Sequence, residues 1–180
     1  INSKFQIIKN KTIVSVGRLV PWKGFGFLIE LMKDLPDWKL IIVGDGPEMK
    51  NLKSQILNLK LGNQIAFNGA IPREKVLEYL SRSELFVLNT SFESFSFQVV
   101  EAMSLGLPVV TTNIGNLSEI IENGVDGILV EPNNKNQFLN AIEKLDKDQN
   151  FRNEVSQKAK IKAKQFSIEN MIKELVKLLN

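Results

Sequence analysis

Residues 12–44, TIVSVGRLVPWKGFGFLIELMKDLPDWKLIIVG, contain the pattern from which the fold of this chain can be predicted. The segment opens with the β-rich run TIVSV (12–16) and closes with KLIIVG (39–44). Apolar runs that do not alternate with polar residues are typical of strands buried on both faces of a sheet. Between these runs, residues 25–32 have the apolar spacing of a helix. A helix between two buried strands predicts a parallel pair joined by a right-handed crossover.

The same alternation continues along the rest of the chain. Further strands are predicted at 65–67, 84–89, 108–112 and 127–130. Helices are predicted at 48–59, 73–82 (with Pro72 near the start), 97–104 and 117–121, and from Lys135, Phe151 and Ile168 onward, with Ser167 as an N-cap. This order predicts an α/β fold: a doubly wound, Rossmann-like parallel sheet of about six strands flanked by helices, formed by a single domain over 1–180. Its ligand should bind at the carboxyl ends of the strands.

The composition restricts the chemistry that this chain can perform. With 180 residues and 43% hydrophobic content, it can form one substantial core, and no apolar run is long enough to span a membrane. It has no Cys and no His, which removes disulfides, thiolate nucleophiles, the commonest general base and the commonest metal ligand. Any reaction must use carboxylates, Lys, Arg, hydroxyls and backbone dipoles.

The basic character of the chain (pI about 9.1) is concentrated in KAKIKAKQ, residues 158–165. A nucleic-acid-binding arm is one interpretation, since clustered cations neutralise phosphates. The solvated face of a terminal helix is the interpretation we favour, so no nucleic-acid partner is expected. A basic flank of a membrane-active enzyme is a third alternative.

Two segments at predicted strand ends have the residues of a binding site. In VGRLVPWKG (16–24), a strand ends at Gly17, Arg18 and Lys23 supply cations, and Gly24 precedes a helix. Such a loop could hold a diphosphate, because glycines allow close backbone approach and Arg and Lys pair with phosphates. The alternative is a surface loop with two solvated cations.

The second segment is SFESFSFQVVEAMSLGLPVVTT, residues 91–112. Glu93 follows a predicted strand, and Glu101 lies eight residues later within a predicted helix. Two carboxylates so placed could accept hydrogen bonds from a ligand with several hydroxyls. The backbone N–H groups of residues 94–97, at the helix entrance, could hold a phosphate. The alternative is two ordinary surface glutamates.

Three other features are interpreted as structural. GDGPEM (44–49) lacks the third glycine of a dinucleotide fingerprint, so an NAD site is not expected. The acidic pair in the sequence Asp146-Lys147-Asp148 lies beyond a predicted helix with no strand beside it, which favours a solvated turn over a metal site. Trp22 and Trp38 could stack on a base, but at loop and strand edges we expect them to cap the core.

Six segments in register resemble the glycosyltransferase group 1 domain of the retaining family 4 enzymes, the C-terminal half of a GT-B fold. VGRLVPWKG resembles G-R-L-x-x-x-K-G, IIVGDGPE resembles V-G-x-G-P-x, and IAFNGAIPREKV resembles V-x-F-x-G. Glu93 and Glu101 match E-x7-E. EAMSLGLPVVTTNIGNLSEIIENGVDGILVEP resembles E-A-M-A-x-G-x-P-V-V-x-x-x-x-G-G-x-x-E-x-I. INSKF resembles the linker that enters the domain, so residues 1–10 would be a linker from an N-terminal domain absent here, and 150–180 would be C-terminal helices. A start at Ile1 rather than Met fits such a part.

The resemblance implies a role for each candidate residue. Arg18 and Lys23 would bind the diphosphate of a UDP- or GDP-sugar donor, Glu101 would accept hydrogen bonds from the ribose, and Glu93 would face the transferred sugar. Glu93, Arg18 and Lys23 would be catalytic. The donor site would comprise Gly17, Arg18, Lys23, Ile71 (backbone toward the base), Glu93, Ser94, Phe95, Ser96, Phe97 and Glu101. No metal and no cofactor are expected.

The resemblance also implies a biological setting. The expected enzyme transfers a sugar to a glycan, lipid or other acceptor held by the N-terminal domain, in polysaccharide or glycoconjugate synthesis. It would act in the cytoplasm. Peripheral association of the full enzyme with the inner face of the membrane is the alternative. A nucleotide-sugar epimerase and a non-catalytic nucleotide-sugar-binding module are the rival functions.

The chain departs from the family pattern at three glycines. E-G-F-G is replaced by Glu93-Ser94-Phe95-Ser96, and Asn116 replaces the second glycine of the G-G-x-x-E segment. If the backbone needs positive φ at either serine, we expect strain of about 1–2 kcal/mol or a reshaped loop. Asn116 is expected to accept left-handed geometry better than most residues.

Overall fold

The structure is a computed structural model that describes residues 11–167 together with residues 170, 172, 176 and 177. The predicted linker at 1–10 and most of the helix predicted from Ile168 lie outside the described residues. The Oγ of Ser167 accepts a hydrogen bond from the backbone N–H of Asn170 at 3.3 Å, as its predicted role as an N-cap requires.

Within the described residues, six parallel strands form one sheet. They are β1 (Lys11–Val16), β2 (Trp38–Val43), β3 (Ile65–Phe67), β4 (Leu85–Leu88), β5 (Val109–Thr112) and β6 (Ile128–Val130). Their spatial order is β3-β2-β1-β4-β5-β6. This is the order of a doubly wound Rossmann sheet. The predicted fold class is confirmed.

Helices connect consecutive strands and follow the last one. They are α1 (Phe25–Leu31), α2 (Met49–Asn58), α3 (Arg73–Arg82), α4 (Phe97–Ser104), α5 (Leu117–Ile120), α6 (Lys135–Lys147) and α7 (Gln149–Ala163), with 3₁₀ turns at Pro21–Lys23, Met32–Asp34 and Lys164–Phe166. The helix predicted from Phe151 begins two residues earlier, because the Asp148 carboxylate accepts the backbone N–H of Phe151 at 2.9 Å and caps it.

Two apolar layers enclose the sheet, which explains the continuous apolar runs. Successive residues of a strand point to opposite faces, so Ile13 of β1 joins one layer and Val14 joins the other. The first layer includes α1, α2 and α6 side chains, with Phe25 and Phe138 fully buried. The second includes α4 and α7, where Ala159 is buried. Both faces of the central strands are therefore excluded from water.

The basic run at 158–165 has the predicted structural role. It lies in α7 and the following 3₁₀ turn, with Ala159 and Ala163 buried and Lys158, Lys160 and Lys164 exposed. These lysines form the solvated side of a helix that packs on α4. Within the described residues, no helix has the length and apolar character needed to cross a membrane.

The acidic pair and the two tryptophans also have structural explanations, with one correction. Asp146 pairs with Lys11 at 2.6 Å, and Asp148 caps α7. Among the described residues, no cluster of three or more acidic side chains could hold a metal ion.

Trp38 is buried at the start of β2, as expected for a core cap. The same expectation for Trp22 is wrong: its side chain is 47% exposed, because the 3₁₀ turn holds it outside the core.

Candidate functional site

The strand order reverses between β1 and β4, so the loops that follow these two strands lie side by side. We call residues 17–24 the β1 loop and residues 89–96 the β4 loop. The backbone N–H of Ser91 donates to the Trp22 carbonyl at 2.8 Å, and the Thr90 hydroxyl donates to the same oxygen at 3.1 Å. The contact requires glycine at position 24, where φ is 61° and a Cβ would lie 2.0 Å from the Asn89 carbonyl oxygen. This is the crevice in which doubly wound sheets bind their ligands.

Lys23 and Glu93 meet in this crevice. The Lys23 Nζ donates to the Glu93 Oε2, and the two side chains are only 12% and 11% exposed. The residues are separated by 70 positions and belong to two different motifs. A charged group in so little water requires a partner, and each provides it for the other. The structure thus brings two sequence-predicted site residues into direct contact.

Arg18 lies in the same loop but in a different environment. Its side chain is exposed, and within the described residues its guanidinium makes no hydrogen bond or ion pair. The neighbouring Gly17 is held by a backbone hydrogen bond to the Val43 carbonyl at 3.0 Å, which anchors the loop to β2. Arg18 is therefore a positive group at the carboxyl edge of the sheet with its donors directed to solvent.

Glu101 lies within α4 and is paired with a residue that the sequence did not single out. The Arg73 Nε donates to the Glu101 Oε1 at 2.6 Å. The hydrogen bond and the negative charge of Glu101 raise the pKa of the Arg73 guanidinium. Arg73 is the first residue of α3 and follows Pro72, the N-cap residue (φ −57°, ψ 150°). Its position in the sequence could have indicated Arg73 as a site residue, because it ends the loop that contains Ile71, a predicted site residue.

Ile71 is half-buried and packs against the second apolar layer from the loop after β3. This loop also lies at the carboxyl edge of the sheet, where the Gly69 carbonyl accepts the Gly44 N–H at 2.8 Å. The predicted donor-site residues after β1, β3 and β4 therefore share one edge of the sheet.

The two serines of the β4 loop fit without positive-φ backbone. The non-glycine residues of the described ranges that have positive φ are Lys60 and Asn133, so the strain considered for Ser94 and Ser96 is absent. Ser96 has extended backbone (φ −101°, ψ 93°) at the start of α4, and its side chain is buried. Phe95 packs edge-on against Phe97, with ring centroids 5.0 Å apart, and Phe97 is 68% exposed.

Asn116 acts through its side chain, and its backbone does not use the left-handed geometry that asparagine tolerates. Its φ is −79° and its ψ is 2°, whereas the preceding Gly115 has φ 46°. The Asn116 Nδ2 donates to the Ser94 carbonyl at 2.6 Å. Asn116, which replaces one glycine of the family pattern, therefore holds the β4 loop, in which serines replace two others.

The site combines cations, carboxylates and a helix end at one edge of the sheet. Lys23 and Arg18 can bind a phosphate, and α4, with eight residues, begins at Phe97 beside the β4 loop. Glu93 and Glu101 can accept hydrogen bonds from hydroxyls. A ligand that carries both phosphates and hydroxyls matches this set of groups.

Comparison with known proteins agrees with this geometry. The profile of the family described as "Glycosyl transferases group 1" matches residues 2–162. An uncharacterised glycosyltransferase of Haemophilus influenzae is 33% identical over 178 residues, which cover 96% of this chain and 50% of that protein. The chain thus spans about half the length of this relative.

Two solved structures are similar over most of the chain. HepE of Anabaena, crystallised with UDP-glucose, is 28% identical with a TM-score of 0.89, covering 96% of this chain and 49% of HepE. The C-terminal domain of a Francisella tularensis glycosyl transferase group 1 protein is 25% identical with a TM-score of 0.77, covering 89% of both chains. The similarity to a C-terminal domain indicates which half of the larger proteins this chain matches.

Proposed function

The chain belongs to the group 1 glycosyltransferases, and from this premise we propose that it is the donor-binding half of a retaining enzyme that transfers a sugar from a nucleoside-diphosphate sugar. Its fold is the C-terminal half of a GT-B enzyme. The structurally similar HepE was crystallised with UDP and with UDP-glucose. A UDP- or GDP-sugar is the proposed donor.

The contact between Lys23 and Glu93 is the observation that carries this proposal. The two side chains come from separate loops, are nearly excluded from water and face the same crevice at the switch in strand order. A donor offers a partner to each: its diphosphate to Lys23 and its sugar hydroxyls to Glu93. The ion pair therefore positions Lys23 and Glu93 before the donor binds. The donor then either takes the place of the pair or binds to both side chains while they remain paired.

The proposed chemistry follows from where negative charge develops. As the bond from the sugar to the diphosphate breaks, charge accumulates on the leaving phosphate. Lys23, Arg18 and the N-terminus of α4 are positioned to stabilise it, and cationic and dipolar groups fixed in advance lower the barrier to such a step. These groups supply the positive charge that a metal ion would otherwise provide. We therefore propose transfer without a metal or cofactor.

The remaining site residues would hold the nucleoside. Glu101 would accept hydrogen bonds from the ribose hydroxyls, and the backbone at Ile71 would meet the base. The segment that joins the β4 loop to α4 would border the sugar and the distal phosphate; its residues are Ser94, Phe95, Ser96 and Phe97. Gly17 would allow the donor to approach the β1 loop closely.

The acceptor would be bound outside the residues described. The matched relatives extend to about twice the length of this chain, and we propose that their other half supplies the acceptor site. A glycan or a lipid-linked saccharide is the proposed acceptor, in polysaccharide or glycoconjugate synthesis. The cytoplasm, including the inner face of the membrane, is the proposed location.

Calorimetry of this chain with UDP, GDP, UDP-glucose and NAD, each in EDTA, tests the donor site. We expect binding of UDP or GDP and of the matching nucleotide sugar, and no binding of NAD. NAD binding tighter than that of the nucleotides, or nucleotide binding that appears only with a divalent metal, would contradict the proposal.

Product analysis with the full-length parent enzyme tests the reaction. We expect sugar transfer to an acceptor with retention of the anomeric configuration. Conversion of the nucleotide sugar alone into its epimer would support the first rival function. Nucleotide-sugar binding without turnover would support a binding module.

A further inference from the structure

Arg73 contacts the carboxylate of Glu101 in a way that leaves part of it available. The Arg73 Nε donates to Oε1 at 2.6 Å, and within the described residues the Glu101 carboxylate has no other polar contact. An ionised carboxylate offers about four lone-pair positions on two oxygens. One hydrogen bond from Arg73 therefore still allows Oε2 to accept from a second group.

Burial distinguishes the two partners. The Glu101 side chain is 19% exposed, whereas the Arg73 side chain is 73% exposed. Glu101 is anchored in the middle of α4 with its carboxylate near the surface, and Arg73 reaches it from the first turn of the neighbouring helix α3. The guanidinium contributes little to the core, so its contact with Glu101 acts mainly on the orientation of that carboxylate.

We propose that Arg73 is a positioning residue that orients the Glu101 carboxylate for the ribose of the donor. A free glutamate side chain samples several rotamers and loses that freedom when it binds a ligand. The bond to Arg73 fixes one oxygen beforehand, so the ribose hydroxyls meet a carboxylate that is already aligned. This inference rests on the proposed function, in which Glu101 binds the ribose.

The inference is tested by titrating the chain with UDP and with 2′,3′-dideoxy-UDP, which lacks both ribose hydroxyls. Arg73→Ala should weaken UDP binding by about threefold to tenfold, the range for one side chain that must be immobilised on binding. The same substitution should leave 2′,3′-dideoxy-UDP binding unchanged, since that ligand makes no bond to Glu101. Arg73→Lys should restore part of the affinity, because it retains the charge without the planar fork.

A double-mutant cycle and a matched control complete the test. In a Glu101→Ala background, which leaves no side-chain acceptor for Arg73, Arg73→Ala should add no further loss for UDP if Arg73 acts through Glu101. Arg82→Ala is the control, since Arg82 ends α3 and forms an exposed pair with Glu78 at 3.0 Å. The affinity of the Arg82→Ala variant for both ligands should equal that of the wild type.

Different outcomes overturn different claims. An equal loss for UDP and 2′,3′-dideoxy-UDP in Arg73→Ala would mean that Arg73 contacts the phosphates or the base directly, and unchanged UDP affinity would mean that it positions nothing. Either result overturns the inference and leaves the proposed function intact. Equal affinity of the wild type for the two ligands would instead overturn the role of Glu101 at the ribose, and the inference with it.

Discussion

Two cation–glutamate pairs lie along the segment that runs from the β4 loop into α4, and they differ in how much solvent their cations contact. Lys23 reaches Glu93 within the crevice and is 12% exposed, whereas Arg73 reaches Glu101 across the helix surface and is 73% exposed. A nearly buried pair joins two loops and resists screening by salt, while a pair with an exposed cation adds little to the free energy of unfolding. The inner pair should therefore affect both folding and binding, and the outer pair should affect binding alone.

Lys23→Ala should have the largest effect. It leaves the Glu93 carboxylate nearly buried without its partner, which should lower the free energy of unfolding by about 2 kcal/mol, less than for a fully buried pair. It also removes the charge-assisted bond that we propose Lys23 makes to the diphosphate, so UDP should bind more weakly by about 3 kcal/mol. Urea denaturation and calorimetry measure the two losses.

Lys33→Ala is the matched control for this prediction. Lys33 pairs with Glu30 one turn away on the surface, with the two side chains 52% and 48% exposed. Its removal should change neither stability nor UDP affinity. If Lys23→Ala is as stable as Lys33→Ala, the contrast between buried and exposed pairs is wrong for this site.

Substitutions of the two glutamates should differ in which ligands they weaken, because we propose that Glu101 binds the ribose and Glu93 the transferred sugar. Glu101→Gln should weaken both UDP and the intact nucleotide sugar, by about 2 kcal/mol, because the ribose is common to both ligands. Glu93→Gln should spare UDP and weaken only the nucleotide sugar, with lower transfer by the full-length enzyme. The amide oxygen of Gln can still accept from Lys23, so the loop contact persists in that variant.

Titration of both variants with UDP and UDP-glucose decides between these outcomes. A loss of UDP affinity in Glu93→Gln equal to that in Glu101→Gln would remove the proposed division between sugar and ribose.

Arg18→Ala should weaken UDP binding without affecting stability. Its side chain is exposed and makes no hydrogen bond or ion pair within the described residues, so its removal leaves no buried group unsatisfied. The expected loss is about 1.5 kcal/mol in UDP affinity, at the lower end for a hydrogen bond to a charged group. Calorimetry beside urea denaturation checks both parts. A stability loss as large as that of Lys23→Ala would show that Arg18 has a structural contact in solution.

Sequence patterns predicted the fold and identified both residues of the inner pair, but only Glu101 of the outer pair, as candidate site residues; they predicted neither contact. The continuous apolar runs predicted strands buried on both faces, because residues such as Ile13 and Val14 must fill two separate layers. Lys23 and Glu93 each lie in a loop after a strand, and strand order alone brings these loops together.

Side-chain contacts between packed helices were not predictable in the same way. Arg73 and Glu101 are 28 positions apart on α3 and α4, and their meeting depends on how those helices pack. Asn116 likewise bonds to the Ser94 carbonyl across 22 positions, which no local propensity indicates. The exposure of Trp22 depends on the short 3₁₀ turn before Gly24, which directs its side chain away from the core. No periodic apolar pattern in the sequence indicates the direction of a side chain in so short a turn.

The smallest expected effect is that of Arg73→Ala on stability, and it tests the comparison of the two pairs directly. The Arg73 guanidinium is exposed to water, so the unfolding midpoint of Arg73→Ala in urea should equal that of the wild type within experimental error. Raising the salt to about 1 M shortens the screening length to about 3 Å, which should leave this result unchanged because there is no stabilisation to lose. The stability loss in Lys23→Ala should persist at the same salt, since the Lys23–Glu93 pair is nearly excluded from solvent. Urea is the suitable denaturant because guanidinium chloride would itself screen both pairs. A midpoint of Arg73→Ala that falls at low salt and approaches that of the wild type at high salt would mean that the outer pair also stabilises the fold, and the distinction between an inner structural pair and an outer positioning pair would fail.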